Sequence, residues 1–324
     1  MSGHEPRVAH AWVESGLQFL NAVEYAHEHG VELAVHPRRG VRQLDATIAA
    51  LRSALPATIS IRRPRSHAIL SPWAWAKKRI LGDGFSGQLR LALLVPRRSL
   101  VLIDDGSIMV DLLCLLATQA PLRRPGQREG PIKRWLGGRA SRRLSQALRH
   151  GDLEIFTAYA DHEAAQLLAS KGAQLRPNRF RWLRQLPGEA SVQAESIVVG
   201  SALAVDGYVD TNRYAEWVRE TAEENTLYMP HRRESPEFLD YIEHTLGVSV
   251  YRGLLPLEVE AAMASRLRRV IGLPSSVVAS LKALGLTSVS FEFSRVPEEW
   301  WLETADFEFR SFINGLVDGP EEAR

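Results

Sequence analysis

Short apolar runs alternate with longer stretches of helical periodicity through the first half of this chain, and the alternation restarts near residue 195. Residues 7–13 are mostly apolar and short, the pattern of a buried strand. Residues 17–28 then place Leu17, Phe19, Leu20, Val23 and Ala26 at helical spacing, and Gly30 closes the segment. A second strand is predicted over 31–35, a helix over 41–55 with Pro56 just past its end, and a third strand over 58–61. Residues 89–95 are apolar and expected to be buried, and a strand follows over 99–103. This rhythm predicts a parallel sheet covered by helices on both faces, an α/β fold.

Residues 121–150 interrupt the rhythm with nine Lys or Arg against one acid, Glu129, and read either as a solvated basic loop or as a contact for an anionic acceptor or the phosphates of an inner-leaflet membrane surface. A strand resumes over 153–158. Residues 176–187 are again basic, 188–195 are small and polar, and a domain boundary is expected near 186–195. The second unit predicts strands over 196–200, 226–230, 248–251, 269–272 and 287–293. Its helices fall over 211–224, 236–246 and 276–284, and the amphipathic stretch 298–316 is expected to pack back as a helix. Two successive α/β units predict two domains, 1–190 and 191–324, with a cleft between them.

A length of 324 residues suits about two domains, and 45% hydrophobic with 24% charged residues argues against disorder. The formal net charge of +2 nominates no nucleic-acid partner. Cys114, the single cysteine, excludes an internal disulfide and a cysteine-rich zinc site and suits a reducing compartment. The N-terminus lacks a signal-peptide layout, and no apolar run approaches the roughly 20 residues of a spanning helix. The expectation is a cytoplasmic protein, with room for peripheral contact at the inner face of a membrane.

Asp104-Asp105-Gly106 directly follows the strand over 99–103. Adjacent carboxylates repel, which favours protonation of one and suits general-base work, and a strand end is where ligands of α/β sheets gather. Pro230-His231 sits at another strand end beside Arg232 and Arg233, so an imidazole able to give a proton lies among phosphate-binding guanidiniums. Gly272-Leu273-Pro274-Ser275-Ser276 turns into a helix whose first amides and two hydroxyls can hold an anion, or the serines can simply cap the helix. Gly200 ends a strand in Gly-Ser, and Glu258 is a lone carboxylate among apolar neighbours.

In their order, these segments resemble the bacterial sialyltransferases, including the lipooligosaccharide and polysialic-acid enzymes. That group shares an Asp/Glu-Asp/Glu-Gly motif in the first domain, then His-Pro and Ser-Ser/Thr motifs in the second. Here they stand as Asp104-Asp105-Gly106, His231 and Ser275-Ser276, and the opening Glu14-Ser15-Gly16-Leu17-Gln18 with Asn21 and Glu24 resembles the group's Glu-Ser-Pro-x-Gln start. The resemblance implies a GT-B fold of two Rossmann-like domains with parallel sheets facing a central cleft. It further implies an inverting transferase that moves sialic acid, or a related acidic sugar, from a CMP-sugar to a glycan or glycolipid acceptor. Asp104 would be the base with Asp105 supporting it, and His231 would protonate the departing phosphate. Ser275 and Ser276 would hold that phosphate and Glu258 the ribose, with Gly200, Pro230 and Gly272 shaping the donor site. No cofactor and no metal would be required.

Three positions depart from the pattern. Arg232 follows His231 where relatives carry proline, Met229 stands where they commonly carry lysine, and Gly16 replaces the N-terminal proline. A Kdo-like or other CMP-sugar is therefore an open donor. A literal His36-Pro37 lies in the first domain, where it reads as lining the acceptor side. The rivals are a GT-B transferase using another nucleotide sugar, a nucleic-acid-binding or scaffold protein using the arginine-rich segments, and a metal hydrolase built on Asp104 and Asp105. The last lacks any accompanying HExxH-type spacing.

Overall fold

The computed structural model describes residues 8–96, 99–124, 129–186 and 192–317. The chain divides into two compact units, Met1–Leu186 with Leu254–Pro256, and Pro187–Gly253 with Leu257–Arg324. Part of the expected boundary, 187–191, lies outside the described residues.

The first unit is a seven-stranded parallel sheet of β1 (Val8–Val13), β2 (Glu32–Pro37), β3 (Ile59–Ile61), β4 (Arg79–Leu81), β5 (Leu100–Ile103), β6 (Leu153–Thr157) and β7 (Gln174–Pro177). Its helices are α1 (Gly16–His29), α2 (Arg42–Leu51), α3 (Pro72–Trp75), α4 (Gly87–Ala92), α5 (Ile108–Ala117), α6 (Pro131–Arg149) and α7 (Glu163–Ser170). Ser15 caps α1 by accepting from the Gln18 amide at 3.1 Å, and Gly30 ends it at φ +61°, a left-handed conformation that glycine adopts without strain. The strand order is β3-β2-β1-β4-β5-β6-β7, so the winding reverses between β1 and β4. Open α/β sheets bind ligands outside the carboxyl ends of their strands at such a reversal.

The second unit is a five-stranded parallel sheet of β8 (Ser196–Val199), β9 (Thr226–Met229), β10 (Ser249–Val250), β11 (Arg269–Gly272) and β12 (Ser290–Phe293), ordered β10-β9-β8-β11-β12. Here the winding reverses between β8 and β11. The helices are α8 (Ala202–Val205), α9 (Thr211–Thr221), α10 (Pro236–His244), α11 (Leu257–Met263), α12 (Val277–Leu284) and α13 (Phe307–Gly315). Val198, Tyr214, Tyr228, Ile242 and Trp301 belong to its core, and α13 packs on it with the Phe309 ring centroid 4.3 Å from that of Tyr208, the two rings tilted by 37°.

Several expected elements differ. Residues 131–149 are a helix rather than a loop, because Ala140, Leu144, Ala147 and Leu148 bury one stripe while the arginines occupy the others. Residues 89–95 largely belong to α4, and β4, β7 and α7 are additional elements. The expected helix over 298–316 is a 3₁₀ turn, Glu298–Trp300, followed by α13. Trp73, Lys78 and Arg79 are buried, while the neighbouring Trp75 and Lys77 are exposed. The Arg79 guanidinium donates to the carbonyls of Ala92 and Val95, tying α4 and the segment after it to β4. Cys114 is half-buried, and burial raises its thiol pKa, with Asp111 and Glu163 adding to the effect.

Candidate functional site

In the first unit, β1, β4, β5 and β6 are neighbours and deliver Glu14, Asp83, Asp104-Asp105 and Thr157 to one edge of the sheet. Gly106, at φ +76°, lets the chain turn sharply after the two aspartates and enter α5. The two carboxylates point into different surroundings. Asp104 is 3% exposed, and its oxygens accept from Thr157 Oγ1 at 2.5 Å and the Ala158 amide at 2.7 Å. Asp105 is half-buried and accepts from Ser15 Oγ at 2.8 Å.

Helix α1 fastens this turn. Asn21 donates to the Asp104 carbonyl at 3.0 Å and accepts from Asn178 at 2.9 Å. One turn on, Glu24 accepts from the amides of Trp182 and Leu183, and burial pushes its carboxyl up to about 7 against those two hydrogen bonds. Ser15, Asn21 and Glu24 of the N-terminal segment thus all act around Asp104-Asp105 or the chain that supports it.

Beside the turn lies a cavity of about 420 Å³ whose walls include Glu14, Asp83, Arg38, Arg90, Arg124 and Lys133. Glu14 and Asp83 follow β1 and β4, the two strands that flank the reversal. Each acid has a basic partner: Glu14 with Arg38 at 3.1 Å, Asp83 with Arg124, and Glu129 with Arg90 at 2.8 Å. Burial raises the Asp83 pKa and the Asp105 and Glu14 charges add to it, against the pull of Arg124. Sequence reasoning passed over Asp83, because Gly82-Asp83-Gly84 follows only Ile80-Leu81 after three cations and carries a single carboxylate.

In the second unit, β9, β8 and β11 are adjacent and bring Pro230-His231, Gly200 and Gly272–Ser276 to one edge. His231 is held by Glu234, a residue the motif search missed. Its carboxylate accepts from the His231 amide at 2.7 Å and from the Tyr228 hydroxyl at 2.5 Å, and Tyr228 bonds Tyr214 at 2.8 Å. Burial pushes Glu234 up to about 7, against the Tyr228 and His231 bonds. Burial lowers His231 to about 4, and Arg233 and Arg232 add to the shift. The imidazole is therefore neutral at pH 7, and an anion beside it would favour protonation.

Gly200 is needed for close approach. A Cβ there would stand 2.5 Å from the His231 nitrogen and 2.6 Å from Glu234 Oε2. A Cβ on Gly272 would meet the Phe293 ring at 2.7 Å. Ser276 begins α12 but makes no side-chain capping bond, which disfavours the plain-capping interpretation for that residue. Ser275 and Ser276 are both half-buried. Glu258 is 4% exposed in the first turn of α11 and accepts from Ser280 Oγ at 2.6 Å; burial raises its pKa. His36 is buried in β2, with Nε2 3.0 Å from His10 Nδ1, and burial lowers its pKa to about 4, helped by His10.

Among the described residues, one grouping has metal-like spacing, Asp240, Glu243 and His244 of α10. Both carboxylates are already paired with Arg252. No helix among the described residues is long and apolar enough to cross a membrane.

No protein-family description matches the chain, and no curated protein sequence matches it. Solved structures do. An α/β-galactoside α-2,3-sialyltransferase from the luminous marine bacterium Photobacterium phosphoreum is similar over 97% of both chains, with a TM-score of 0.54 and 12% identity. MurG of Acinetobacter baumannii aligns over 96% of this chain and 82% of its own with a TM-score of 0.37 and 9% identity. The first likeness, with the two parallel sheets, makes this a GT-B fold.

Proposed function

We propose that the chain is an inverting glycosyltransferase that moves sialic acid, or a related acidic sugar, from a CMP-linked donor to a glycan or glycolipid acceptor. The observation that carries this reading is the coincidence of a GT-B fold with the three motifs at strand ends: Asp104-Asp105-Gly106 after β5, His231 after β9 and Ser275-Ser276 after β11. The geometry favours Asp105 over Asp104 as the base. Both Asp104 oxygens already accept hydrogen bonds, whereas Asp105 is more open and oriented by Ser15.

In this reading an acceptor hydroxyl gives its proton to Asp105 as its oxygen bonds to the anomeric carbon. The bond from that carbon to the CMP phosphate breaks on the opposite face, inverting the centre. His231, protonated in the presence of the donor phosphate, gives a proton to the departing oxygen. Ser275, Ser276 and the first amides of α12 meet the remaining phosphate charge, so the step needs no metal. Glu258 takes the ribose hydroxyls. Gly200, Pro230 and Gly272 keep the donor edge narrow enough for backbone contact.

Calorimetric titration with CMP, UDP and GDP tests the proposal. CMP is expected to bind tightest, with affinity reduced in the Ser275→Ala, Ser276→Ala double variant. Preference for UDP or GDP would assign a different donor. Tight, steeply salt-dependent binding of oligonucleotides without affinity for CMP would support the nucleic-acid rival.

A further inference from the structure

One face of the first unit exposes large apolar side chains on elements that pack together. The 3₁₀ turn Ala68–Leu70 packs on α3 and α4, and α4 packs on α6. From these elements Leu70, Trp75, Leu91, Ile132 and Trp135 reach solvent, as does Leu94 just past α4, with Ile132 77% and Trp135 52% exposed. Arg139 stacks over the Trp135 ring at 5.2 Å, an arrangement in which an aromatic and its cation are presented outward together.

The charge on these segments is one-sided. Residues 62–96 and 130–149 contain one acid, Asp83, which is buried and paired with Arg124. Their exposed cations include Arg65, Lys77, Arg134, Arg139 and Arg142. The formal charge of the whole chain is only +2, so the basic character is concentrated here rather than spread over the surface.

From this juxtaposition of outward Leu, Ile and Trp side chains with unopposed cations, we infer that the α3–α4–α6 face docks on an anionic lipid bilayer. Tryptophan and aliphatic side chains enter the boundary between headgroups and acyl chains, while Lys and Arg bind anionic headgroups. A nucleic-acid surface would account for the arginines but not for Leu70, Leu91, Leu94 and Ile132, which have no ring to stack on a base. The inference does not rest on the transferase reading. It does connect with it, because Lys133 adjoins Ile132 and lines the cavity beside Asp83, so docking would bring that cavity to the headgroup layer.

Cosedimentation of the full chain with two kinds of vesicle tests it: phosphatidylcholine alone, and phosphatidylcholine mixed with phosphatidylglycerol. Binding is expected only to the mixed vesicles. It should weaken by about tenfold or more in Ile132→Ser with Trp135→Ser, and likewise in Arg134→Glu with Arg139→Glu. All four positions are exposed, so unchanged thermal melting should accompany the loss. Failure of the wild type to sediment with the mixed vesicles, or binding by both variants as strong as the wild type's, overturns the inference. So does a stable dimer of the wild type that the Ile132→Ser, Trp135→Ser variant converts to monomer, since a second copy would then cover the face.

Discussion

Asp104 and Asp105 are neighbours of one residue type, and their difference comes from partners far along the chain. Thr157 and Ala158 saturate the first, and Ser15 orients the second. Asp105→Asn should lower transfer by about a hundredfold or more while CMP affinity stays unchanged. Asp104→Asn should instead cost about 1–3 kcal/mol of stability, because an amide nitrogen would face the Ala158 amide or the Thr157 hydroxyl. Transfer that persists in Asp105→Asn and vanishes in a well-folded Asp104→Asn would restore the base to Asp104. His231 permits a second prediction. Its pKa of about 4 is set by burial and two arginines, and a bound phosphate opposes both. CMP affinity should therefore rise as pH falls from 8 toward 5, through proton uptake. The nucleotide's own second ionisation near 6 contributes as well, so the quantity to compare is the slope in wild type against His231→Asn, which should be shallower.

At the scale of elements, the sequence was legible wherever an apolar run ended in a turn residue. The strand before Asp104-Asp105-Gly106, helix α1 between Ser15 and Gly30, and the β8, β9 and β11 strand ends fall in this class. What escaped had its pattern overwritten. Strand β4 is three residues long and starts with the buried Arg79, whose charge argued against a core strand. Strand β7 lies at the sheet edge with an exposed pattern that resembles a loop. Helix α6 carries six cations over an inward stripe of small residues, among them Gly137. A Cβ at Gly137 would run into the Leu122 carbonyl, so Gly137→Ala should loosen the docking of α6 and lower the melting temperature. Glu234 was invisible for a related reason: its role depends on Tyr228 and the His231 amide, contacts that no spacing rule encodes. Gly200→Ala should displace the His231 turn, costing about 1–3 kcal/mol of stability and weakening CMP binding. An unperturbed variant would show that the turn has room to move.

For the whole molecule, the buried carboxyls make stability pH-dependent. Glu24 and Glu234 ionise at about 7 in the folded chain, against 4.5 ordinarily. Their contribution is present in full below 4.5 and is lost as pH rises through about 7. Glu234→Gln should flatten part of that decline, since its oxygen can still accept from the His231 amide while its nitrogen faces the Tyr228 oxygen. Denaturant melts between pH 4.5 and 8 measure the difference, and parallel curves for the two proteins would remove Glu234 from the account.

The most direct test of the central claim is acceptor-dependent release of CMP from CMP-sialic acid, measured in wild type and in Asp105→Asn across a panel of glycan and glycolipid acceptors. The account predicts that at least one acceptor stimulates release in the wild type, and that Asp105→Asn binds CMP equally well but shows no stimulation. No stimulation by any acceptor in the panel, or equal turnover in the two proteins, would contradict it.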